Sequence, residues 1–157
     1  MTASRDSANP DPGGTHLRRH TVRKRTRARE LVLRALYLID VRGSDALPDV
    51  PRFFESETDD PDVRAFAAEL FNGIVEHRDE IDARIANVAE NWEIHRMAVI
   101  DRNLLRLGTY ELAYLPDIPP KVSINEAIDL AKRYSTGESG AFVNGILDKL
   151  RTQIRPE

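Results

Sequence analysis

Taken as apolar and polar positions, the chain is a succession of helical faces, and no segment alternates for long enough to make a convincing strand. The first regular face runs through Ala28, Leu31, Val32, Ala35 and Ile39, the spacing of one buried side of a helix that starts near Thr26 and stops at Gly43. A linker with Pro48 and Pro51 follows, with a short helix around Phe53 and Phe54. Asp60-Pro61-Asp62 predicts the next helix start: a carboxylate N-cap, proline at the first helical position, then a second acid at the positive dipole end. Val63, Phe66, Ala67, Leu70 and Ile74 form its face, and Ile81, Ile85, Val88, Ala89 and Trp92 the face of another helix.

From Met97 to Leu115 apolar residues appear on nearly every side, the pattern of a helix central to its bundle, and Pro116, Pro119 and Pro120 end it. Ser123-Ile124-Asn125-Glu126 reads as a capping box at the start of the following helix, with Val122 stapled onto Ala127. Ile128, Ala131 and Tyr134 continue that helix. Phe142, Val143, Ile146, Leu147 and Leu150 predict the last one; the 3.6 period around Asn144-Gly145 outweighs its hairpin signal. The expectation is an all-α fold. One stripe stands apart. Leu33, Tyr37 and Val41 lie roughly opposite the first buried face, so either a second bundle or another protein covers them.

Residues 1–20 are rich in Pro, Gly, Ser, Asp and Arg without periodicity and are expected to be a disordered tail, leaving 21–157 as the folded domain. At 157 residues with 41% hydrophobic content, one domain with a real core is expected. The absence of Cys excludes a disulfide framework, a Cys nucleophile and thiolate metal sites. No apolar run approaches the ~20 residues of a membrane helix, and residues 1–15 lack a signal-peptide core, so the expected compartment is the cytoplasm.

The net charge of -3 hides an asymmetry. Residues 16–34 hold eight Lys/Arg and one Glu, while the rest of the chain is acidic. A basic arm on an acidic body suggests a polyanion approached from one side. On a helix, Arg25 and Arg29 border the apolar stripe on one side and Arg23, Arg27 and Arg34 on the other, so their guanidinium groups are expected to stand exposed along both borders. Arginine suits phosphate pairing and base stacking, but charge alone does not separate DNA, RNA and anionic membrane. Catalytic patterns fail. His77-Arg78-Asp79 lacks the metal-binding Asn and glycine loop of a kinase, Glu93-Ile94-His95 is not the zinc-protease arrangement, and Glu57-Thr58-Asp59-Asp60 reads as a solvated loop or helix cap. No metal or cofactor is called for.

Three segments together resemble the NusB family of bacterial transcription antitermination factors: RKRTRARELVLRALYLIDV (23–41), AVIDRNLLRLGTYELAYLPDIPPKVSINEAIDLAKRYS (98–135) and GESGAFVNGILDKL (137–150). The likeness is dense in the C-terminal half, weak over 43–80 and absent in 1–20. It implies two packed three-helix bundles, about seven helices in all, and no enzymatic activity. It implies pairing with the small ribosomal-subunit protein NusE, binding of boxA RNA in nascent ribosomal RNA transcripts, and action with RNA polymerase. It places RNA contacts at Arg25, Arg27 and Arg29; Thr26 stands where a further Arg is common, with Arg23 and Lys24 beside it as substitutes. Glu138 and Phe142 match positions near the RNA, where a ring can stack on bases, although Phe142 also fits the core period. Tyr37 and Asp101 match NusE-facing positions; the competing reading of Asp101 is an internal ion pair with Arg96, Arg102 or Arg106.

Three rivals remain. NusB-like domains occur in some ribosomal RNA cytosine methyltransferases, but these residues hold neither a Rossmann-type glycine motif nor a Cys nucleophile. A protein-interaction module, such as a homodimer burying the arginine helix, is the alternative reading. A helix-turn-helix DNA binder is more distant, because the basic residues sit in the first helix rather than in a second, recognition helix.

Overall fold

The computed structural model describes the backbone of residues 12–90 and 93–156, and the side chains of residues 19–90 and 93–156. Among the described residues there are seven α-helices and no strand: α1 (Pro12–Arg42), α2 (Val50–Glu57), α3 (Pro61–Glu76), α4 (Arg78–Val88), α5 (Val99–Tyr114), α6 (Pro120–Tyr134) and α7 (Gly137–Ile154). Short 3-10 turns at Ser44–Asp49 and Ile94–Arg96 join α1 to α2 and α4 to α5. The all-α expectation holds.

The helices form two packed groups. α1, α2 and α3 make the first; α5, α6 and α7 make the second, with α4 laid against α5 and α7. α1 and α3 both pack on α5, which joins the two. The apolar periods account for this directly, since Ala28, Leu31, Val32, Ala35 and Ile39 are all buried, as are the expected faces of α3 and α4. α5 is buried on almost every side, as its unbroken apolar character requires. Trp92, assigned to the α4 face, lies outside the described residues.

Two close details fix how these helices end and cross. Gly43 ends α1 with φ +90°, a left-handed conformation that glycine adopts without a Cβ penalty. Gly73 lets α3 cross α5: a Cβ there would lie 2.2 Å from the Tyr110 ring.

The structure departs from the expected boundaries at the starts of two helices, α1 and α6. α1 already begins at Pro12, so residues 12–20, expected as part of a disordered tail, are helical; residues 1–11 lie outside the described residues. Elongating a docked helix adds one hydrogen bond per residue, so a stretch without a period of its own can continue one that has docked. α6 begins at Pro120, three residues before the expected cap. The capping box at Ser123 does not form. Proline at the first position loses no hydrogen bond, so the helix starts there. Ser123 falls inside its first turn, where its hydroxyl donates at 2.7 Å to the buried carboxylate of Glu111. Glu126 turns to α1, and Val122 stands exposed rather than stapled.

Glycine replacements test the crossing. Gly73→Ala should cost about 1–3 kcal/mol through overpacking against Tyr110. Gly145→Ala, inside α7 with open space around it, should be neutral or stabilising by up to about 1 kcal/mol. Urea unfolding of both variants measures the contrast.

Candidate nucleic-acid interface

The basic residues of α1 meet four different environments. Arg23 is exposed and makes no ion pair with the described residues. Lys24 Nζ donates at 2.8 Å to Asp62 and lies 3.4 Å from Asp60, at the N-terminus of α3. The Arg25 guanidinium lies over the Phe66 ring at 4.4 Å, a cation–π contact. Arg27 donates at 2.7 Å to Glu30 and at 3.3 Å to Glu57. These four keep at least part of their surface in solvent. Thr26, the position where the family pattern often has a further Arg, donates its hydroxyl to Glu126 at 2.8 Å.

Arg29 is the exception, and it corrects the expectation of guanidinium groups exposed along both borders. It is only 2% exposed, and its fork donates two hydrogen bonds, of 2.7 and 2.8 Å, to the carboxylate of Glu111 in α5. Glu111, itself 1% exposed, also accepts from Ser123, and Glu126 approaches Arg29 at 3.4 Å. Burial works against the Arg29 charge, but the hydrogen bonds and charge of Glu111, backed by Glu126, outweigh it and hold the guanidinium pKa above its ordinary value. Arg29 therefore faces the interior because α5 offers it an oriented carboxylate that would otherwise be buried alone. Only a bidentate fork fits that geometry.

Glu138 and Phe142 lie on α7. Glu138 is exposed in the first turn, behind a Thr136 N-cap that accepts the Ser139 amide at 3.1 Å. Phe142 is half-buried against the core. α7 packs chiefly on α6 and α5, and α6 reaches α1 through side chains, by Thr26–Glu126 and the hydrogen bonds of Arg133 and Tyr134 to Glu30.

On the other side of α1 the Leu33–Tyr37–Val41 stripe divides. Leu33 is buried, whereas Tyr37 and Val41 are 47% and 63% exposed. They open onto an apolar groove of about 650 Å³ bounded by Phe53, Ile100 and Tyr134. Asp101, next to Ile100 in the first turn of α5, is buried with its Oδ1 lacking a hydrogen-bond partner among the described residues. The internal ion pair weighed for it does not form. Arg102 and Arg106 go instead to Asp40, and Arg106 also to Asp82.

The family model described as NusB family matches residues 26–152. The chain belongs to the NusB family. It is 42% identical to the transcription antitermination protein NusB of Desulfatibacillum aliphaticivorans over 134 residues, 85% of this chain and 94% of that relative. Among solved structures it superposes on NusB of T. maritima with TM-score 0.75 at 41% identity, covering 84% of this chain and 93% of that one. It also superposes on a structure of antitermination factors NusB and NusE in complex with dsRNA, with TM-score 0.76 at 31% identity, covering 83% of this chain and 98% of that one. Like its relatives, this NusB-family chain is a non-enzymatic transcription antitermination factor.

Two networks escaped sequence reasoning: the buried Arg29–Glu111–Ser123, and the half-buried Asp40 with Arg102, Arg106 and Asn103. A signal existed for each. Glu111 and Asp40 are single carboxylates within apolar helical runs, where a buried acid requires a cation or several donors.

Glu30 provides the pH test. Its burial favours the neutral acid, but hydrogen bonds from Tyr134 and Arg27 outweigh that and lower its pKa. A lowered folded value contributes stability that is present above the unfolded pKa, about 4.3, and is lost as pH falls through the folded value. Glu30→Gln should therefore flatten the acid limb of a stability–pH curve below about pH 4.3 while leaving its neutral shape unchanged. Urea midpoints measured from pH 3 to 7 check this.

Proposed function

We propose that this antitermination factor binds boxA-like single-stranded RNA through the solvent-facing border of α1, in partnership with NusE, as part of an RNA polymerase antitermination complex on nascent ribosomal RNA in the cytoplasm. The observation that carries the RNA reading is the row Arg23, Lys24, Arg25 and Arg27, whose side chains stay exposed or half-exposed while the apolar face of the same helix is docked. Guanidinium forks in such a row pair phosphate oxygens, and aromatic faces stack bases. Phe142 is the ring assigned to stacking, with Glu138 beside it. Arg29 is assigned a positioning role rather than a phosphate contact. The solved complex of NusB, NusE and dsRNA supports both partners by likeness.

NusE is assigned to the groove at Tyr37 and Val41, with Asp101 at its edge. Asp101 follows Ile100, which lines the groove, and its enclosed Oδ1 has no hydrogen-bond partner among the described residues, so a donor that reached it as the first turn of α5 adjusted to the partner would add a full hydrogen bond. The alternative, a homodimer burying the arginine helix, predicts a mass of two chains and RNA binding that weakens as the dimer forms.

The Arg23→Ala, Arg25→Ala, Arg27→Ala triple variant should bind a boxA-like strand more weakly, with a salt dependence flatter by roughly 0.7 log unit for each phosphate no longer neutralised. Tyr37→Asp should fold normally and lose NusE, since the ring is half-exposed. Fluorescence anisotropy across a salt series, with a NusE pull-down alongside, reads both arms. Unchanged affinity and slope in the triple variant would remove the RNA site from α1.

A further inference from the structure

The acidic segment joining α2 to α3 has no part in that reading, yet it lies against the same cations. Lys24 Nζ is held by Asp62 at 2.8 Å and by Asp60 at 3.4 Å. One turn along α1, Arg27 donates at 3.3 Å to both the backbone carbonyl and the carboxylate of Glu57. The segment is fixed in place. Asp60 Oδ1 accepts the Asp62 amide at 2.9 Å as the α3 cap, and Arg64 donates to the carbonyls of Thr58 and Glu55 at 2.6 and 2.9 Å. The paired cations are not sealed off, since the side chains of Lys24 and Arg27 are 32% and 35% exposed.

We propose that the acidic α2–α3 segment is an internal phosphate mimic, with Asp62 and Glu57 occupying on Lys24 and Arg27 the positions that RNA phosphate oxygens take, so that RNA binds only by displacing them. This rests on the RNA-binding reading of α1. A carboxylate oxygen at 2.8 Å satisfies the ammonium group as a phosphate oxygen would. A polyanion offering charge alone trades one exposed ion pair for another and gains little. A strand that adds base stacking or partner contacts gains net free energy from those. The segment thus discriminates by penalising the wrong ligand rather than by rewarding the right one. Arg23, which carries no carboxylate among the described residues, remains open for the first encounter.

The test uses the full chain and two single-stranded RNAs of equal length, one boxA-like and one scrambled, titrated across a salt series. The Asp62→Asn, Glu57→Gln double variant replaces each mimic by a neutral amide; it retains the Asp60 cap at 3.4 Å from Lys24 and the Glu30 partner of Arg27, and it also loosens Arg34, which donates to Glu57 at 2.9 Å, so the cations are released in part. It should bind the scrambled strand about 3–10-fold more tightly, with a salt slope steeper by up to about 0.7 log unit per freed cation. The boxA-like strand should gain less, so the ratio of the two affinities falls. Asp45→Asn removes one negative charge just past the far end of α1, roughly 27 Å from Lys24 along the helix, and should change either affinity less than two-fold. Equal gains from Asp45→Asn would show a general charge effect and overturn the mimic. So would unchanged affinity and slope in the double variant when the wild type binds boxA-like RNA. A wild type that binds neither strand would instead overturn the RNA reading, and the mimic with it.

Discussion

The buried pair of Arg29 and Glu111 is the contact on which the rest of the interface depends. It ties the basic helix to α5, the helix that touches both packed groups. Such a pair is not a cheap source of stability. Taking both charges out of water costs several kcal/mol per ion, which their attraction offsets only when geometry is good and the remaining polar atoms are satisfied. Here the fork is bidentate and Glu111 also accepts the Ser123 hydroxyl. The pair's main consequence is directional. An apolar stripe alone tolerates some rotation of α1 about its axis, whereas two parallel hydrogen bonds do not. Holding Arg29 inward fixes where Arg25 and Arg27 emerge.

One arginine-rich stretch therefore contains several physical roles. Arg29 anchors, Arg25 lies over an aromatic face, Lys24 and Arg27 are held by carboxylates of neighbouring elements, and Arg23 stands free of ion pairs with the described residues. Counting basic residues describes the field around the helix but not the number of groups that can reach a phosphate. The same economy holds on the opposite side, where Leu33 is absorbed by the core and only Tyr37 and Val41 are left outside.

Periodicity made most of the fold legible from sequence, because a helix that buries one face must repeat its apolar residues at 3.6. The α1, α3 and α4 faces and the enclosed character of α5 all came from that rule, and Asp60 caps α3 as its sequence implies. What failed was local chemistry with two solutions. Ser123 and Glu126 have the spacing of a capping box, but Pro120 starts the helix earlier, and the buried acid of Glu111 competes for the serine. Arg29 has the spacing of a border residue, but its partner lies 82 positions away. Side-chain pairs between distant elements leave no periodic trace. They are betrayed only by an isolated charge in an apolar run.

The anchoring role of Arg29 is tested most directly by a double-mutant cycle on stability with Arg29→Met and Glu111→Leu. Each single variant strips a buried charge of its bidentate partner, leaving Arg29 with Glu126 at 3.4 Å or Glu111 with the Ser123 hydroxyl, and should lose about 3–5 kcal/mol in urea unfolding. The double variant removes both charges, so its loss should fall short of the sum by about 1–3 kcal/mol. Additive losses, or an Arg29→Met variant as stable as wild type, would contradict the account.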